Sequence, residues 1–146
     1  MSNEVNAQQR QVVADRAYRV CEYCLTHEDD TFWGCQIDHI ISRKHGGRSD
    51  LENLAWACAC CNYYKGSDIA TLVGQPPRLS RLYHPRNDRW SDCFRLHGHR
   101  IEPNNTPGAA TERLMQFNQD SRLRERATLA HTGRYPTIEG LARMKE

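Results

Sequence analysis

Two cysteine knuckles, Cys21-Glu22-Tyr23-Cys24 and Cys58-Ala59-Cys60-Cys61, together with Asp38-His39, Asn53 and Asn62, are the residues of this chain whose types and spacing can do chemistry. A Cys-x-x-Cys turn presents two thiolates on one side of a tight bend, and two such turns supply the four soft ligands that tetrahedral Zn²⁺ prefers. In the second knuckle the x-x spacing favours Cys58 and Cys61 and leaves Cys60 to packing or solvent. Cys35 and Cys93 read as small buried hydrophobes. A harder site can stand beside the zinc: Asp38 and Asn62 offer oxygen donors, and His39 offers an imidazole titrating near neutral pH. Adjacent residues of a regular strand point to opposite faces, so a site shared by Asp38 and His39 requires the strand to end or bend there. Asn62 directly follows Cys61, so a bound zinc would fix the first turn of the helix that carries it. Lys65 lies three residues on, roughly on the same helix face, and reads equally as a functional cation or an exposed helix lysine.

In order along the chain, Cys21-x-x-Cys24, Asp38-His39-Ile40-Ile41, Gly46-Gly47, Asn53-Leu54 and Cys58-x-x-Cys61-Asn62-x-x-Lys65 resemble the HNH endonuclease family, in its zinc-knuckle-containing subgroup. The resemblance covers residues 21 to 65. It implies a ββα-metal core in which His39 is the general base, Asp38 and Asn62 hold a catalytic divalent metal (Mg²⁺ or Mn²⁺), and Asn53 orders the loop holding His39. Lys65 would then stand near the scissile phosphate as a further catalytic residue. The third signature position is Asn62 rather than His, a neutral oxygen donor. The implied activity is hydrolysis of DNA phosphodiester bonds, leaving 5′-phosphate and 3′-hydroxyl ends, on double-stranded DNA gripped mainly by its backbone. His45, beside Gly46-Gly47, is a phosphate contact, a support of the metal shell or a surface loop histidine; His84, His97 and His99 read as structural. The stretch from Tyr83 to Trp90 also looks like the tail of some compact bacterial HNH proteins. The rival reading is a non-catalytic zinc-ribbon module that binds nucleic acid or protein. It explains the cysteines equally well, but not Asp38-His39 together with Asn62.

The elements that must position these residues give an α+β fold: a zinc-stabilised ββα-metal core with an N-terminal helix and a mixed, largely helical C-terminal extension. Val12, Val13, Ala17, Val20 and Cys21 are spaced for a helix over about residues 6–20 whose apolar face covers the metal module. A strand over 31–37 ends at Asp38-His39, residues 42–50 form a loop, and 53–57 return as a second strand. The 33 residues between Cys24 and Cys58 exceed the common ribbon gap of about 15–20, and this strand, loop and strand account for the excess. A helix with Asn62 and Lys65 follows, weakened or ended by Gly66. Gly74-Gln75-Pro76-Pro77 marks a break, dividing a helix-plus-nuclease module, residues 1–73, from an extension, residues 74–146, that packs on it. In the extension Leu79, Leu82, Tyr83, Trp90, Phe94 and Leu96 supply packing, and His97-Gly98-His99 forms a turn. Thr106 caps a helix with Pro107 at its first position, and a last helix over 121–131 ends at Gly133. The 45 residues from 21 to 65 are near the size below which an apolar core alone rarely holds a fold, so zinc must compensate.

At 146 residues with seven cysteines and no apolar run of membrane length, the chain reads as a soluble, cytoplasmic, metal-ligating protein rather than a disulfide scaffold. Its first residues, Met1-Ser2-Asn3-Glu4, lack a secretion pattern. Net charge is only +2, but it is uneven: residues 1–73 carry 7 Lys+Arg against 10 Asp+Glu, and residues 74–146 carry 13 against 8. The second half is therefore the expected phosphate-contacting surface, set against plain solvated arginines.

Overall fold

The structure, a computed structural model, describes residues 4–146; the Met1-Ser2-Asn3 start lies outside them. Helix α1, Ala7–Arg16, opens on an Asn6 and Gln9 capping box and is shorter than the expected 6–20. Tyr18 and Arg19 adopt left-handed backbone (φ 55° and 62°), which turns the chain into the first knuckle before the helix can reach it. Val13, Ala14 and Ala17 pack against Leu54 and Trp56, whereas Val12 is exposed.

Strands β1, Cys35–His39, and β2, Leu54–Cys58, pair antiparallel, with Asp38 opposite Ala55 and His39 opposite Leu54. The first strand starts four residues later than expected and runs through Asp38-His39. Residues 31–34 bend instead, with Gly34 at φ 72° and the side chains of Phe32 and Trp33 in solvent. Helix α2, Ala59–Lys65, begins on Cys58, whose Sγ accepts the Cys61 amide, and stops at Gly66 as expected. Strand, loop, strand and helix thus form the ββα unit.

The Gly74-to-Pro77 stretch is the turn of a hairpin, β3 Ala70–Val73 with β4 Arg78–Arg81. Helix α3, Trp90–Cys93, leads to a second hairpin, β5 Phe94–His97 with β6 Arg100–Pro103, turning at Gly98-His99. Helix α4, Thr106–Met115, is capped by Asn105, one residue before the expected Thr106, because the Asn105 carboxamide reaches the Gly108 amide. Helices α5, Asp120–His131, and α6, Ile138–Met144, complete the chain; the sequence reading contains no counterpart of α6.

One hydrophobic core joins the two halves. The four knuckle cysteines, Tyr23 and Leu25 share it with Tyr83, Trp90, Phe94, Ile101, Met115, Phe117 and Tyr135. Polar bonds reinforce the joint: Trp90 Nε1 donates to the Tyr23 carbonyl at 2.9 Å, and the Tyr135 hydroxyl donates to the Cys24 carbonyl at 2.7 Å. Glu22, fully buried inside the first knuckle, accepts from the Trp56 amide and is paired with Arg86 and Arg143.

Candidate active site

The knuckles converge. Cys21, Cys24, Cys58 and Cys61 are buried, and their sulfurs all lie within 4.8 Å of one another, with Cys24 and Cys58 Sγ 3.7 Å apart. Zinc–sulfur bonds of about 2.3 Å in a tetrahedron place sulfurs about 3.8 Å apart, so the cage fits Zn²⁺ in both donor chemistry and size. Each knuckle also turns a backbone amide onto its first sulfur, Cys24 N to Cys21 Sγ and Cys61 N to Cys58 Sγ. Cys60 stays half-exposed outside the cage.

His39 closes β1 half-buried, with Nε2 2.9 Å from Ser49 Oγ across the loop. Burial lowers its pKa below the ordinary histidine value, and the neighbouring cations Arg43 and Lys65 lower it further, so the ring favours its neutral form at neutral pH. The loop between the strands is stapled by Asn53. Its Oδ1 accepts the Ile41 amide at 2.8 Å, and its Nδ2 donates to the carbonyls of Ile41 (2.9 Å) and Arg48 (2.7 Å). Gly47 is required here: a Cβ would lie 1.7 Å from the Ile41 carbonyl oxygen and 2.9 Å from Asn53 Nδ2. Gln9 of α1 ties the same loop down through the Ser49 carbonyl. His45 is exposed.

Asp38 and Lys65 depart from the expected picture. β1 stays regular through Asp38, so the aspartate faces inward while its neighbour His39 is more open, at the strand's end. The Asp38 carboxylate is 3 % exposed; Oδ1 receives Lys65 Nζ at 3.1 Å and Oδ2 the Tyr23 hydroxyl at 2.6 Å. Burial raises its pKa, opposed by Lys65 and Tyr23. Lys65 is not an exposed helix lysine. At 1 % exposure its ammonium also donates to the His39 carbonyl at 3.0 Å, bridging the two adjacent motif residues. Asn62 is half-buried one turn earlier on α2. The expected basic surface is reduced too, since Arg122, Arg126 and Arg143 of the second half are buried.

Tyr23, Ser49 and Arg122 escaped the sequence reading. Tyr23 occupies one of the two x positions of a Cys-x-x-Cys knuckle, and the other two come from segments whose spacing to the motif carries no signal.

The site thus combines a ββα unit, a four-cysteine cage able to hold a metal ion, a histidine at a strand end and an asparagine-stapled loop. Residues 21–68, about a third of the chain, match the family model described as HNH endonuclease. No curated protein and no solved structure matches the chain. Among the described residues, no helix is long and apolar enough to cross a membrane.

Proposed function

We propose that the chain is an HNH endonuclease that hydrolyses DNA phosphodiester bonds, with zinc in the cysteine cage and a catalytic divalent ion, Mg²⁺ or Mn²⁺, held by Asp38 and Asn62. The observation that carries this reading is the setting of His39: a lowered-pKa imidazole at a strand end, braced by Ser49, inside the segment matching the HNH family model. In this reading His39 keeps its proton on Nε2, donated to Ser49 Oγ, and its other nitrogen takes the proton of the attacking water. Asn53 closes the loop that carries Ser49, so the hydroxyl that braces the imidazole is itself held in place. Lys65 acts by fixing Asp38 and the His39 carbonyl, not by touching phosphate. The divalent ion would supply Lewis-acid stabilisation of the phosphoryl and leaving oxygens. Its donors are hard oxygens as that chemistry requires, and binding at Asp38 shares or displaces the Lys65 contact. Double-stranded DNA would be met mainly at its backbone, with α2 near the minor groove and the exposed arginines of the second half on phosphates.

The Asp38–Lys65 pair favours a second reading, a zinc module that binds without cutting, because the carboxylate is already neutralised. Supercoiled plasmid separates the two. The nuclease reading expects nicked product when Mg²⁺ or Mn²⁺ is added to zinc-loaded protein and none in a chelator control; intact plasmid under every metal, with DNA still bound, establishes the binding module.

A further inference from the structure

Arg122 belongs to α5, sixty-one residues beyond Cys61, yet its guanidinium ends at the cysteine cage. Nη2 lies 3.1 Å from Cys61 Sγ and 3.9 Å from Cys58 Sγ, while Nη1 donates to the Met115 carbonyl at 2.6 Å. The group also sits over the Phe117 ring, 5.7 Å from its centroid, and the residue is only 5 % exposed. A planar fork held by a carbonyl on one arm aims the other arm at sulfur.

Zn²⁺ with four thiolates is a dianion, and a buried charge is costly unless a partner offsets it. The core-facing positions of α5 carry Arg122 and Arg126 where a packing helix would ordinarily present leucine or alanine. Arg126 is occupied elsewhere, with the His99 carbonyl and Asn118. Among the described residues, Arg122 is the cation that reaches the sulfurs.

We infer that Arg122 is a positioning residue of the metal cage, donating N–H bonds to the Cys61 and Cys58 thiolates and offsetting part of their charge, so that metal retention depends on the C-terminal half of the chain. The inference rests on zinc occupying the cage and is independent of nuclease activity. Such partners hold a ligand's orientation, and a cationic one also offsets the charge of the buried thiolates, which makes them part of the metal's affinity.

The test uses the full chain as wild type, Arg122→Lys and Arg122→Gln; both substitutions keep an N–H donor for the Met115 carbonyl, but only lysine keeps the charge. Zinc content of the wild type comes first, because a wild type that binds no zinc overturns the cage itself rather than the role of Arg122. Zinc affinity is then measured by chelator competition, and the sulfur-to-metal charge-transfer band is recorded on the Co²⁺-substituted proteins, with far-ultraviolet circular dichroism to confirm folding. Glutamine should weaken zinc binding by about 10- to 100-fold and lysine by no more than about threefold. The glutamine variant's cobalt band should move to longer wavelength, because a thiolate without a cationic donor gives up its electron more easily. Equal affinity in the two variants, an affinity loss without a band shift, or a lysine variant that takes up no metal would each overturn the inference.

Discussion

Asn53 illustrates how one side chain can organise a site it does not touch. Its carboxamide satisfies three backbone groups of the loop between β1 and β2, on Ile41 and Arg48. His39 is not among these partners, but Ser49, whose hydroxyl meets the imidazole, lies in the loop that Asn53 closes. Net hydrogen-bond contributions of about 0.5–1.5 kcal/mol each predict that Asn53→Ala destabilises the zinc-loaded protein by roughly 2–4 kcal/mol. Urea unfolding checks the value. Asn53→Asp, which keeps the acceptor for the Ile41 amide and loses both donors, should fall between; a wild-type midpoint for Asn53→Ala would mean that the loop holds its shape without it.

At the scale of elements, the joint between β1 and α2 rests on a buried ion pair. Lys65, the last residue of α2, reaches back to Asp38 and to the His39 carbonyl. Removing one member of such a pair leaves an uncompensated charge, so Lys65→Met should cost about 3–5 kcal/mol, and adding Asp38→Asn to it should recover part of the loss. Equilibrium unfolding of the single and double variants measures both; a double variant less stable than Lys65→Met would contradict the pairing. The knuckles, the returning strand, α2 and its stop at Gly66 were legible because cysteine spacing and glycine mark them locally. The inward turn of Asp38 was not. A strand's alternation told that Asp38 and His39 diverge, but only the tertiary placement of Tyr23 and Lys65 told which of them is buried. Helix α6 escaped because it docks through polar groups: Arg143 meets Glu22 and the Pro85 carbonyl while Ile138 and Leu141 face solvent, so no apolar stripe announces it.

For the whole molecule, the cage lies within the same core as Trp90, Phe94, Phe117 and Tyr135, so metal and fold stand or fall together. Structural zinc contributes about 10–16 kcal/mol of apparent binding free energy, as large as the total stability of most domains. Stripping it with a strong chelator should therefore abolish cooperative thermal unfolding and the near-ultraviolet signal of buried Trp90, including its C-terminal surroundings. An unchanged melting curve in demonstrably zinc-free protein would refute that coupling. The central claim remains chemical: the imidazole at the end of β1 takes a proton from water. Zinc-loaded His39→Ala, assayed for plasmid nicking with Mg²⁺ or Mn²⁺ alongside DNA binding, tests it most directly. Loss of a general base predicts cleavage slower by about 100-fold or more with binding retained; cleavage at the wild-type rate would contradict the account.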